Sequence, residues 1–185
     1  MDPRRREIHI ASQTKRALLG RAVVGMAGFC VAMTIPAAVS AQLDLCLDAE
    51  RHLRDVIGMT VITEPDTIDD WRTQAMVSGC RVTAAGATTE SSAVVARQFY
   101  EILPESGWER TPDPRDAPNE ASLRYRQHGA DCLFNFYDSA IALNTDAEMT
   151  VSDAVFLQRG EHLYNFLVMC TPAAPAAPRG GEPGG

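Results

Sequence analysis

The chain has 185 residues, of which 17 are basic and 24 acidic, with a net charge of −7 and 45% apolar residues. That is enough for one small domain and its own core. So acidic a chain is repelled by phosphate backbones and offers no polybasic patch to anionic lipid heads, which argues against nucleic acid and charged membrane surfaces as partners.

Residues 1–41 have the three parts of a secretory leader. Arg4, Arg5, Arg6, Lys15, Arg16 and Arg21 form a basic segment, residues 22–35 an uncharged apolar run, and Val39-Ser40-Ala41 a small-residue cleavage site. Cleavage is expected between Ala41 and Gln42, giving a periplasmic or secreted protein with no further membrane contact. The run before Pro36 is shorter than the roughly 20 residues of a membrane span. A retained leader would instead make the protein an anchored subunit. Phe29 stands where a lipoprotein site before Cys30 needs a small residue. Six of the 17 basic and two of the 24 acidic residues fall in the leader, leaving 11 arginines against 22 acidic residues and a net charge of −11.

Four cysteines remain: Cys46, Cys80, Cys132 and Cys170. An even number in an exported chain points to two disulfides. Three pairings are open. Cys46–Cys80 with Cys132–Cys170 is favoured, since it ties the N-terminal segment to the first strand and links two late strands. No two of these cysteines have the close spacing of a zinc ligand pair or a C-x-x-C redox motif.

Asp44–Val56 has helical spacing, with Leu45, Ala49, Leu53, Val56 and Ile57 on one stripe, Asp44 as cap and Gly58 as stop. His52 is expected at the surface rim of this helix. Thr60–Ile62 is a short strand that Glu64-Pro65-Asp66 should break. Ile68–Gln74 is ambiguous, with Trp71 a lid over one end of the core. Ala75–Ala84 is the first secure strand, and Gly79 inside it implies a bulge or a close backbone contact. Gly86 should turn the chain into the helix that organises the domain.

That helix is Ser91–Leu103. Val95, Phe99, Ile102 and Leu103 fall on one face and Ser92, Arg97 and Glu101 on the other. Thr88, Thr89 and Ser91 are candidate caps, and Pro104 with Gly107 marks the exit. Trp108–Thr111 is a short strand, and the three prolines of Pro112–Asn119 make a loop. Two hairpins follow: Ser122–Gln127 turning at His128-Gly129 into Asp131–Tyr137, and Asp153–Gln158 turning at residues 159–161 into Leu163–Cys170. Cys132, Phe134 and Phe136 share one face, as do Tyr164, Phe166, Val168 and Cys170. Asp138–Thr150 is a short helix or an added strand. Residues 172–185, rich in Pro, Gly and Ala, are expected to be disordered. The fold class is therefore α+β: an antiparallel sheet of about four to six strands, one main amphipathic helix on a face and a short N-terminal helix, in a single domain spanning residues 42–171.

Chemistry is harder to find. No serine stands in a G-x-S-x-G setting, no H-x-x-x-H or H-x-E pair offers a metal, and no glycine loop cradles phosphate. Cofactors, metals and catalytic residues are not expected. Trp71, Trp108, Tyr100 and Tyr137 are candidates for a ligand pocket or for core. The expectation is an exported, non-catalytic binding or accessory protein whose partner is an envelope protein or a small ligand. The alternative is a small hydrolase-like envelope enzyme using His128 and His162 with nearby carboxylates, which requires both hairpin turns at one end of the sheet.

Overall fold

The computed structural model describes residues 37–70, 72–111, 122–139 and 141–173. The leader before residue 37, Trp71, the Pro112–Asn119 loop and the tail after residue 173 lie outside them. In chain order come α1 (Ala37–Asp44), α2 (Leu47–Arg51) and a π-helical turn (His52–Val56). Then follow β1 (Thr60–Asp70), β2 (Ala75–Thr88), α3 (Ser92–Glu105) and β3 (Glu109–Arg110). β4 (Ser122–Gln127), β5 (Ala130–Tyr137), α4 (Asp146–Asp153) and β6 (His162–Pro172) complete the chain. The strands form one six-stranded antiparallel sheet in the order β1-β2-β6-β5-β4-β3. The fold class is α+β.

The last strand lies in the middle. β6 pairs with β2 on one side and β5 on the other, and the register sets Cys80 opposite Cys170 and Cys170 opposite Cys132. Three cysteines thus stand in one row across three strands, all on the same face because the side-chain period is two. Cys46, just before α2, reaches down to Cys80, and Cys132 bonds Cys170. This is the favoured pairing. Two disulfides mark a protein of an oxidising, extracytoplasmic compartment, and no described helix is long and apolar enough to cross a membrane. The expected cleavage junction Ala41/Gln42 falls inside α1.

The cysteine face carries the core. Val82, Phe134, Phe166 and Val168 from the strands meet Ala49 and Leu53 from the N-terminal segment and Phe99 and Leu103 from α3. The Phe99 ring lies 4.0 Å from that of Phe166 and 5.7 Å from that of Phe134, centroid to centroid. α4 lies on the other face. Its fully buried Glu148 accepts hydrogen bonds from the backbone amides of Ala142, Leu143 and Asn144 and from Asn165 of β6. Thr145 caps this helix by accepting from the Glu148 amide.

Several expectations need correction. The N-terminal helix is not one element: α1 ends at Asp44, α2 starts from Cys46 with no side-chain cap, and the stripe residue Val56 is exposed. Pro65 does not end β1, which runs through it for 11 residues; β1 is an edge strand, hydrogen-bonded on one side only, where proline is tolerated. Gly86 stays within β2. Its place is fixed by the Tyr164 ring, which a Cβ at residue 86 would approach to 2.7 Å. The second hairpin does not form. Residues 146–153 are α4 and 154–161 a loop, because Ala147 and Val151 supply the apolar spacing of a helix face against the sheet.

Gly79 is a close backbone contact, as its position within β2 implied. β2 pairs with β6 only from Cys80 onward, while its first five residues pair with β1 alone. The β1–β2 tip therefore leaves the sheet at Gly79 and bends over the α4 face. There Arg72 donates to Asp131 of β5 at 3.2 Å. A Cβ at residue 79 would lie 2.3 Å from the Cys170 carbonyl oxygen. Gly79→Ala should therefore force β2 off β6 and destabilise the protein by about 1–3 kcal/mol. Chemical denaturation checks this, and a midpoint equal to that of the native sequence would contradict the crossing.

Candidate functional site

α3 leaves an open groove between its first three turns and the β3–β4–β5 side of the sheet, with a volume of about 730 Å³. This falls in the range of small-molecule pockets. The helix supplies Ala93, Ala96 and Arg97; β3 supplies Arg110, β4 Leu123 and Tyr125, and the end of β5 Tyr137. Tyr100 stands at the back. Phe99 turns into the core, so the next residue along the helix faces the groove edge.

The wall is aromatic and its hydroxyls are largely committed. The Tyr100 and Tyr125 rings are nearly parallel, 6.2 Å apart at 9°. The Tyr100 hydroxyl donates to the Phe134 carbonyl at 3.0 Å and the Tyr125 hydroxyl to the Tyr100 carbonyl at 3.4 Å. Burial pushes both phenols above their ordinary value. They are neutral, inward-bonded rings rather than acids or nucleophiles. Around the rim stand Arg97, Arg110, Glu101 and Asp138, and Asp138 accepts from the Ser92 hydroxyl at 3.3 Å.

Of the four aromatics singled out in sequence, Tyr100 and Tyr137 line this groove, Trp108 is buried in the core, and Trp71 lies outside the described residues. The histidine alternative is not assembled. Ala130, just past the His128-Gly129 turn, pairs with Pro172 at the far end of β6, whereas His162 begins that strand. At about 3.3 Å per residue the two histidines stand roughly 30 Å apart. His128 Nδ1 meets Asp48 of α2 at 2.7 Å, not Asp131. Glu161 bonds back to the Gln158 amide within its own loop.

Asp131 belongs to a buried ion cluster that sequence reasoning missed. It accepts from Arg126 at 2.7 and 2.9 Å and from Arg72, which also bonds Asp70. Burial pushes the Asp131 carboxyl up, but the hydrogen bonds of Arg126 and Arg72 outweigh it and hold the group below its ordinary 3.8. For Glu148, burial is likewise overcome by the Ala142, Leu143 and Asn144 amides, leaving it below 4.5. Among the described residues no group of three His, Cys, Asp or Glu side chains is placed to hold a metal ion.

His52 is the larger surprise. It is 3% exposed rather than at the rim, packs edge-on against Phe99 with centroids 5.5 Å apart, and neither ring nitrogen has a hydrogen-bond partner among the described residues. His52 stands three residues after buried Ala49 and next to buried Leu53, at the start of the π-helical turn, so it borders the buried stripe. No family model, curated protein or solved structure matches the chain.

Burial alone holds His52 below its ordinary 6.5. The unfolded chain then binds a proton at a higher pH than the folded one. Stability is full above pH 6.5 and falls as pH drops through that value, by up to about 1.4 kcal/mol per pH unit. The carboxylates, with lowered values, contribute stability that is lost only below about pH 4.5. His52→Leu should therefore flatten the stability–pH curve between 6.5 and 5 while leaving the acid limb. Denaturation midpoints across that range test this, and a variant curve parallel to the native one would contradict the neutral buried imidazole.

Proposed function

We propose that the protein is an exported, non-catalytic binding or accessory module that holds its ligand in the groove between α3 and the β3–β4–β5 side of the sheet. The observation that carries this reading is the groove itself, an aromatic wall next to the Phe99–Phe166 contact of the core. Tyr100 follows the core anchor Phe99, and Tyr125 sits on a strand whose neighbour carries a disulfide. A preorganised wall of this kind loses little conformational freedom on binding. Export is supported by the leader pattern and by the two disulfides. The separation of His128 from His162 weighs against the enzymatic alternative built on that pair.

The test uses a neutral apolar dye, Nile red, which reads the wall without reading its charges. The folded protein should enhance the dye's emission saturably. Ala93→Trp, an exposed position on the groove wall, should fill the space and weaken binding severalfold without loss of stability. Binding that survives Ala93→Trp, or no enhancement by the native protein, would contradict the groove reading.

A further inference from the structure

We propose that the ligand of this groove is a small amphiphilic carboxylate, with its apolar body on the tyrosine wall and its carboxylate read by Arg97 and Arg110. The inference rests on the reading of the groove as a binding surface and adds the chemistry of the occupant.

The wall chooses the body. The Tyr100 and Tyr125 hydroxyls are engaged with backbone carbonyls, so what these residues present to the groove is ring surface. Leu123, Ala93 and Ala96 extend that surface. A ligand body without hydrogen-bonding groups fits such a wall best, because polar groups desolvated against it would go unpaired.

The rim chooses the head. Four of the described arginines, Arg54, Arg72, Arg81 and Arg126, are drawn into ion pairs with carboxylates. Arg97 and Arg110 have no ion-pair partner among the described residues, and they face one groove from two different elements, α3 and β3. Arg110 is near enough to Tyr125 to stabilise its phenolate electrostatically, which sets the charge against the wall. A planar guanidinium matches a carboxylate in geometry as well as charge. Two acidic groups share the rim. Asp138 already accepts from Ser92. Glu101, one helical turn beyond Arg97, competes with the ligand for that guanidinium. Glu101→Gln should therefore tighten binding of an anionic ligand.

The experiment is calorimetric titration of the folded protein with three ligands that share one alkyl chain, each below its micellar concentration: dodecanoate, dodecanol and dodecyltrimethylammonium. The expected result is that dodecanoate binds about tenfold tighter than dodecanol, the scale of one charge-assisted hydrogen-bonded contact. The ammonium ligand should bind more weakly than either. In Arg97→Gln/Arg110→Gln the preference for dodecanoate over dodecanol should collapse, and in Glu101→Gln it should grow. Equal affinity for dodecanoate and dodecanol, or preference for the ammonium ligand, would overturn the carboxylate assignment while leaving the groove as the binding surface. Binding of none of the three would overturn the assignment together with the groove reading.

Discussion

The row formed by Cys80, Cys170 and Cys132 is the constraint on which the rest of this structure depends. β6 is made last and must enter the middle of the sheet, between strands that begin 87 and 32 residues earlier in the chain. Insertion of that kind closes long loops before it is rewarded by contacts. The disulfide to Cys132 joins β6 to β5 within the register that the hydrogen bonds require, Cα to Cα at 4.1 Å. The disulfide from Cys46 holds the N-terminal helical segment against β2. Sequence separations of 34 and 38 residues correspond to about 3–4 kcal/mol each in the chain-entropy picture. For a small domain that is a large part of its net stability.

The same row places the groove. Above the disulfides the sheet face is filled by Phe134 and Phe166, and Phe99 closes over both. Fixing Phe99 fixes the rotation of α3 about its axis. Tyr100 is then carried to the edge of the core, where it lies over Tyr125, and Arg97 to the exposed rim. On the opposite face, charge does what apolar packing does on the first. Asp131 gathers Arg126 and Arg72 where the β1–β2 tip bends over, and Glu148 gathers three loop amides under α4. Buried carboxylates of this kind are costly unless every oxygen is bonded, and here they fix where irregular chain returns to the sheet.

Much of this was legible in the sequence and some was not, for definite reasons. The His128-Gly129 hairpin was readable because both turn residues take positive φ, 43° and 84°, and the flanking residues alternate. The core helix, the shared face of Cys132, Phe134 and Phe136, and that of Tyr164, Phe166, Val168 and Cys170 followed from periodicity alone. Asp153–Gln158 was misread as a strand because Val155, Phe156 and Leu157 have strand composition; yet Phe156 is 93% exposed. For Asp138–Thr150, where a short helix and an added strand were both open, the pattern Thr145-x-x-Glu148, an N-terminal helix signature, was the signal that would have decided for the helix. His52 was misplaced because its place beside the apolar stripe is legible in the sequence but the Phe99 ring that covers it, from a distant helix, is not. Of the groove, only Tyr100 and Tyr137 could be read as candidates. Arg97, Arg110 and Tyr125 are brought together only by the order of the sheet, which local patterns do not encode.

The most direct test of this account is disulfide mapping of the full chain. Arginine-specific cleavage puts the four cysteines on four different peptides, ending at Arg51, Arg81, Arg159 and Arg179. Digestion without reductant, followed by mass spectrometry, should give Cys46 linked to Cys80 and Cys132 linked to Cys170. A Cys80–Cys170 link, which the register would also permit between adjacent strands, or four free thiols, would contradict it.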